Sequence, residues 1–104
     1  MRKLTTQQIQ KVLEDHNSYL GSAGSRGRIA DLRNLDLRGI DLHRKSLCLA
    51  NLADSDLSGA DLTGTNLFGA DLRGANLTNA KIDGLNVDSA FIDGIILPKG
   101  WEIK

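Results

Sequence analysis

Aromatic residues are nearly missing from this chain: Phe, Trp and Tyr together make up 4% of its 104 residues. Large globular cores lean on such side chains, so any interior here must be narrow and aliphatic. One cysteine, Cys48, rules out an internal disulfide and fits a reducing, cytoplasmic compartment. Basic and acidic residues balance at 13 each, which argues against bulk attraction to nucleic acid or to an anionic membrane. No apolar run is long enough to span a bilayer. The opening stretch Met1–Gln8 lacks the apolar core of a signal peptide. The length allows a single domain.

What the chain has in quantity is a five-residue repeat. Counting in fives from Leu32 gives Leu37, Leu42, Leu47, Leu52, Leu57, Leu62, Leu67, Leu72, Leu77, Ile82, Val87, Ile92 and Leu97 without a gap. Two residues before these centres stands Ala at 30, 50, 60, 70, 75, 80 and 90. Just before most centres stands Asp or Asn, as at Asp31, Asp36, Asp41, Asn51, Asp56, Asp61, Asn66, Asp71 and Asn76. A period of five suits neither the 3.6 of a helix nor the 2 of a strand. A fixed short period means a solenoid, in which each unit buries its apolar face only against copies of itself.

The units Ala60-Asp61-Leu62-Thr63-Gly64 and Ala70-Asp71-Leu72-Arg73-Gly74 show the pattern almost unaltered. In this the chain resembles the pentapeptide-repeat family, over residues 30–99. The resemblance implies an all-β solenoid: a right-handed quadrilateral β-helix of about 3.5 coils, four pentads to the coil. Centres twenty residues apart then stack at about 4.8 Å. One ladder is Leu32, Leu52, Leu72 and Ile92, and Leu42, Leu62 and Ile82 form another. Gly recurs two residues after the centre, where the chain must turn and a positive φ is cheap for it.

Residues 1–29 are expected to supply an α-helical cap and a linker, and residues 100–104 a tail. Thr5 with Gln8 fits a capping box, and Ile9, Val12, Leu13 and Leu20 with His16 form one stripe over residues 5–20. A cap of this kind leaves His16 half-buried. At the other end Phe91 and Ile96 stand where Asp or Asn belongs, ahead of Pro98 and Trp101. Either Trp101 and Ile103 fold over the last coil as a lid, or Phe91, Ile96 and Trp101 meet a second copy end to end. The lid, and with it a monomer, is the favoured expectation. Lys45 is out of place: it falls on an inward position, so the corner 44–46 must bulge or the ammonium must snorkel out.

No catalytic constellation emerges. His43 and Cys48 each follow a centre and face solvent, without a Cys or His neighbour at metal-ligand spacing or a recognisable base. The nonapeptide pattern of calcium β-rolls is absent, so no cofactor and no metal is expected. Asp and Asn before each centre are read as partners for backbone donors at the corners.

Function is then expected on the outward columns. Asp36 with Asp56 and Asp41 with Asp61 stack as acidic pairs, while Cys48, Leu49 and Phe68 share an apolar outer face. The expectation is a non-enzymatic scaffold that binds another protein. The alternative, implied by the resemblance, is a DNA mimic that modulates gyrase or another DNA-handling enzyme. Against it stand the shortness of the solenoid and its modest acidity, ten Asp against seven Lys plus Arg in residues 30–99.

Overall fold

A computed structural model, in which residues 1–102 are described, shows how a period of five makes a square. At the corners after Leu37 through Ile92 the N–H three residues after a centre returns to that centre's carbonyl, as from Ala50 to Leu47 and from Ala60 to Leu57, both 3.0 Å. The second of the two residues between them has positive φ, the geometry of a type II turn: Gly59 at 68°, Gly64 at 66°. Four such corners bring the chain back over itself. Parallel bridges therefore join residues twenty apart, from Asp31–Asn51 through to Asn76–Ile96.

The coils are tied by a regular ladder. Each centre donates forward, as Leu52 N–H does to Asp71 O at 2.8 Å, and the residue before it donates back, as Asp71 N–H does to Ala50 O at 2.9 Å. Inside, Leu32, Leu42, Leu47, Leu52, Leu57, Leu62, Leu67, Leu72 and Leu77 are fully buried. Each such leucine contributes about 1.5–3 kcal/mol, so the ladders dominate stability. Where the small inward residue is polar it satisfies itself on a carbonyl: Ser55 Oγ donates to Leu52 O and Thr65 Oγ1 to Leu42 O, each at 2.7 Å.

Lys45 resolves its conflict by snorkelling and not by a bulge. Its backbone is regular, donating to Leu42 O at 3.1 Å and accepting from Asn66 N–H at 2.9 Å, and its side chain is exposed. Because it lies in the first coil, the stem can leave over the open end.

Helix α1 spans Thr6–Gly21, one residue along from expectation, with Thr5 as its N-cap. The capping box is complete: Gln8 N–H donates to Thr5 Oγ1 at 3.1 Å, and Thr5 N–H to Gln8 Oε1 at 2.8 Å. Ile9, Val12 and Leu13 pack on the solenoid core. The linker folds back on the helix, and Gly27, at φ 69°, sits so close to the Asp15 carbonyl that a Cβ there has no room. Two features depart from the sequence reading. Residues before the helix pair with the first coil through a single bridge, Arg2 bridging Leu35 and accepting from Asp36 N–H at 2.8 Å. His16 is fully buried, not half-buried, and its Nδ1 accepts the Ala30 N–H at 2.9 Å. It thereby replaces the corner bond that Ala30, at the start of the repeat, has no earlier centre to make.

The last coil is looser. Val87, Ile92, Ile95 and Leu97 are only half-buried. Trp101 turns back beside Ile82, Leu85 and Val87 but stays 46% exposed, an incomplete lid. Ile103, the other expected lid residue, lies outside the described residues.

Candidate functional site

The outward columns are built on a repeated local bond. In each of ten units the Asp or Asn before the centre turns its Oδ1 to the N–H two residues on, from Asp31–Arg33 at 3.3 Å to Asn86–Asp88 at 2.9 Å. These side chains hold the strand-to-corner geometry, as expected. The second oxygen of each Asp, and the residue two further on, set the chemistry of each face.

On three units that residue is arginine, and it clamps the carboxylate. Arg33 grips Asp31 at 2.8 and 2.9 Å, Arg38 grips Asp36 at 2.9 and 2.9 Å, and Arg73 grips Asp71 at 3.0 and 2.7 Å. The Arg38 guanidinium holds the Asp36 carboxyl down at about 2. Asp36 and Asp56 are bridged neighbours, but half of that acidic pair is already neutralised within the chain. Among the described residues Asp56 has no guanidinium partner; the Ser58 hydroxyl donates to it at 2.5 Å and leads the lowering of its pKa.

On the adjacent face Asp41 and Asp61 are likewise bridged neighbours. Here His43 takes the place held elsewhere by arginine, with Nδ1 2.5 Å from Asp41 Oδ1. One donor atom each from Asp41, His43 and Asp61 falls within 4.8 Å of the others. Neither a Cys or His neighbour at ligand spacing nor the calcium nonapeptide marks this cluster in the sequence. An Asp-x-His unit with Asp twenty residues on was the available signal.

The third candidate, Leu49 with Phe68, is apolar and open, at 48% and 45% exposure. Leu49 adopts φ 67° and lies over Gly69, the residue after Phe68. The candidate end-to-end contacts are not gathered into one patch. Phe91 continues the column of Asp31, Asn51 and Asp71, with Arg73 5.5 Å above its ring, while Ile96 continues that of Asp36, Asp56 and Asn76. Trp101 stands apart from both, beside Ile82 and Leu85.

A groove of about 630 Å³ separates α1 from the first coil, floored by Leu4, Ile9, Leu13, Leu37 and Ile40. Its rim mixes Lys3 and Lys45 with Glu14, Asp36 and Asp41, so it selects no ligand charge.

The family model for pentapeptide repeats matches residues 30–67 and 55–94, as eight copies. The chain belongs to the pentapeptide-repeat family. Its solenoid is accordingly the right-handed β-helix of pentapeptide-repeat proteins, the coarse fold that the resemblance implies. Among solved structures it is similar to a pentapeptide repeat protein of the Arabidopsis thaliana thylakoid lumen, at 27% identity and a TM-score of 0.44 over 71% of this chain and 58% of that one. This chain thus spans less than two thirds of the length of the Arabidopsis protein. A pentapeptide repeat protein from Nostoc Pcc 7120 matches at 24% identity and 0.44, over 97% of this chain and 90% of that one. One from the cyanobacterium Cyanothece 51142 matches at 32% and 0.34, over 71% and 62%. No curated protein matches the chain.

Proposed function

We propose that this pentapeptide-repeat protein is a small non-enzymatic scaffold that binds another protein through the outer face carrying Leu49 and Phe68. In this reading α1 caps about three and a half coils, which hold that face rigid, and the protein works in the cytoplasm as a monomer. The observation that supports it is Leu49 itself. A left-handed backbone costs a non-glycine residue about 1–2 kcal/mol, and the same corner one coil later is glycine, Gly69, at the same φ of 67°. The fold therefore has no need of leucine there, and an exposed apolar side chain in a strained conformation is a feature that contact with a partner explains.

Leu49→Gly separates the two roles, because it relieves the backbone while deleting the contact. Chemical crosslinking in host extract, comparing wild type with Leu49→Gly and Phe68→Ser, tests the reading. A specific crosslinked product that both variants lose while melting no lower than wild type supports it. Identical products from all three proteins overturn it.

The second reading, a DNA mimic, draws on the stacked Asp36/Asp56 and Asp41/Asp61 columns. Arg38 neutralises Asp36 within the chain and so weakens the negative field of the first of those columns. Inhibition of a supercoiling reaction by wild type, and its loss in Asp56→Asn with Asp61→Asn, would favour the mimic over the scaffold.

A further inference from the structure

Of the four faces, the one carrying Asp41 and Asp61 differs in kind from its neighbours. Asp31, Asp36 and Asp71 each face a guanidinium two residues on, which has only donors and fills the carboxylate's lone pairs. Asp41 faces an imidazole, which in its neutral form offers a lone pair of its own. Asp61, stacked directly beneath Asp41, has no guanidinium partner among the described residues either. One nitrogen and two carboxylate oxygens from two successive coils thus converge within 4.8 Å, on side chains whose backbones are held by the inter-coil ladder.

We propose that Asp41, His43 and Asp61 form a binding site for a divalent first-row transition metal of the zinc class, bridging the first and second coils. The donor set selects the metal. Imidazole with carboxylate suits zinc, copper or nickel, whereas calcium and magnesium require more oxygens than these residues provide. Donors around such an ion lie about 2.0–2.2 Å from it, so a cluster of this span closes on the ion with small side-chain rotations. The Asp41–His43 hydrogen bond gives way as the ion enters, and its proton passes to the other ring nitrogen or to water. Water completes the coordination on the open side, because the face is exposed. Lys45 and Lys81 exert their charge on Asp41 and Asp61 respectively and compete with the metal for them. The affinity is therefore well below that of a buried structural site.

The test is calorimetric titration of the untagged protein with Zn²⁺ alone. A Cys48→Ser background removes the free thiol, the strongest rival ligand. All the substituted side chains point outward, and circular dichroism checks that each variant keeps its fold. The expected result is a single site whose affinity falls at least about tenfold in His43→Gln and again in Asp61→Asn. It is unchanged in Asp56→Asn, where a stacked Asp pair has no imidazole. Zn²⁺ is also expected to raise the thermal midpoint of the background protein but not of His43→Gln, since the ion ties one coil to the next. Failure to bind Zn²⁺ at millimolar concentration overturns the proposal. So does binding that survives loss of both His43 and Asp61.

Discussion

Leu49 of the first coil lies over Gly69 of the second, with its Cδ2 2.7 Å from where a Cβ on Gly69 would stand. Gly59 has nearly the same φ, 68° against 67°, but nothing within 4 Å of the corresponding point. The pair separates backbone strain from side-chain contact. Gly59→Ala should cost about 1–2 kcal/mol from the left-handed backbone alone. Gly69→Ala should cost more, and Leu49→Gly should abolish the excess in a double-mutant cycle. Urea unfolding of the four proteins measures it; equal costs at the two glycines would show that the leucine moves aside freely.

Inside and outside of the square are sharply distinct. Leu62 is fully buried, so Leu62→Asp places an unpaired carboxylate in a closed apolar ladder and should abolish folding. Thr63, the next residue, points outward, and Thr63→Lys should change stability by under about 0.5 kcal/mol. Far-ultraviolet circular dichroism and thermal melting of the two variants check the assignment.

Acid should loosen the helix end through His16. Burial lowers its pKa below 6.5, while the Cys48 backbone opposes that shift without making a hydrogen bond of normal geometry to Nε2. A protonated ring would also lose the Nδ1 lone pair that accepts the Ala30 N–H. Because the folded pKa lies below the unfolded one, the contribution is intact above about pH 6.5 and is lost as pH falls through the folded value. Wild type should lose stability between pH 7 and 5 at up to about 1.4 kcal/mol per pH unit. His16→Gln, whose amide oxygen can accept from Ala30, should show a flatter profile in denaturant melts at each pH.

Arg38 governs Asp36. With the guanidinium removed in Arg38→Gln, the Asp36 carboxyl should rise from about 2 toward its ordinary 3.8. The stability that the pair contributes is present above pH 3.8 and is lost on descending to about 2. Carbon-detected NMR titration of the Asp36 carboxyl reads the shift directly, and an unchanged value would remove Arg38 as its cause.

Phe91 already has an intramolecular partner in Arg73, and it is separated around the coil from Ile96 and Trp101. The chain should therefore sediment as a monomer throughout the micromolar range, with Phe91→Asn indistinguishable from wild type. A concentration-dependent dimer that Phe91→Asn dissolves would restore the end-to-end contact.

How far the sequence alone reaches is plain from particular residues. A period of five with leucine at every centre determined the ladders, the corners and the sense of every outward column, because each unit can bury its leucine only against its own copies. Thr5 and Gln8 announced the start of α1 for a similarly local reason: both bonds of the capping box lie within three residues. Only the tertiary structure decided what depends on contact between distant segments. It put Arg2 on the edge of Leu35, buried His16 against Ala30, and let Lys45 escape over the open end of the first coil. It also brought Asp61, twenty residues on, within reach of the local Asp41–His43 pair. Columns can be counted from the repeat, and an Arg or His two residues after an Asp can be read there too, but how closely donors from successive coils converge depends on packing across the ladder.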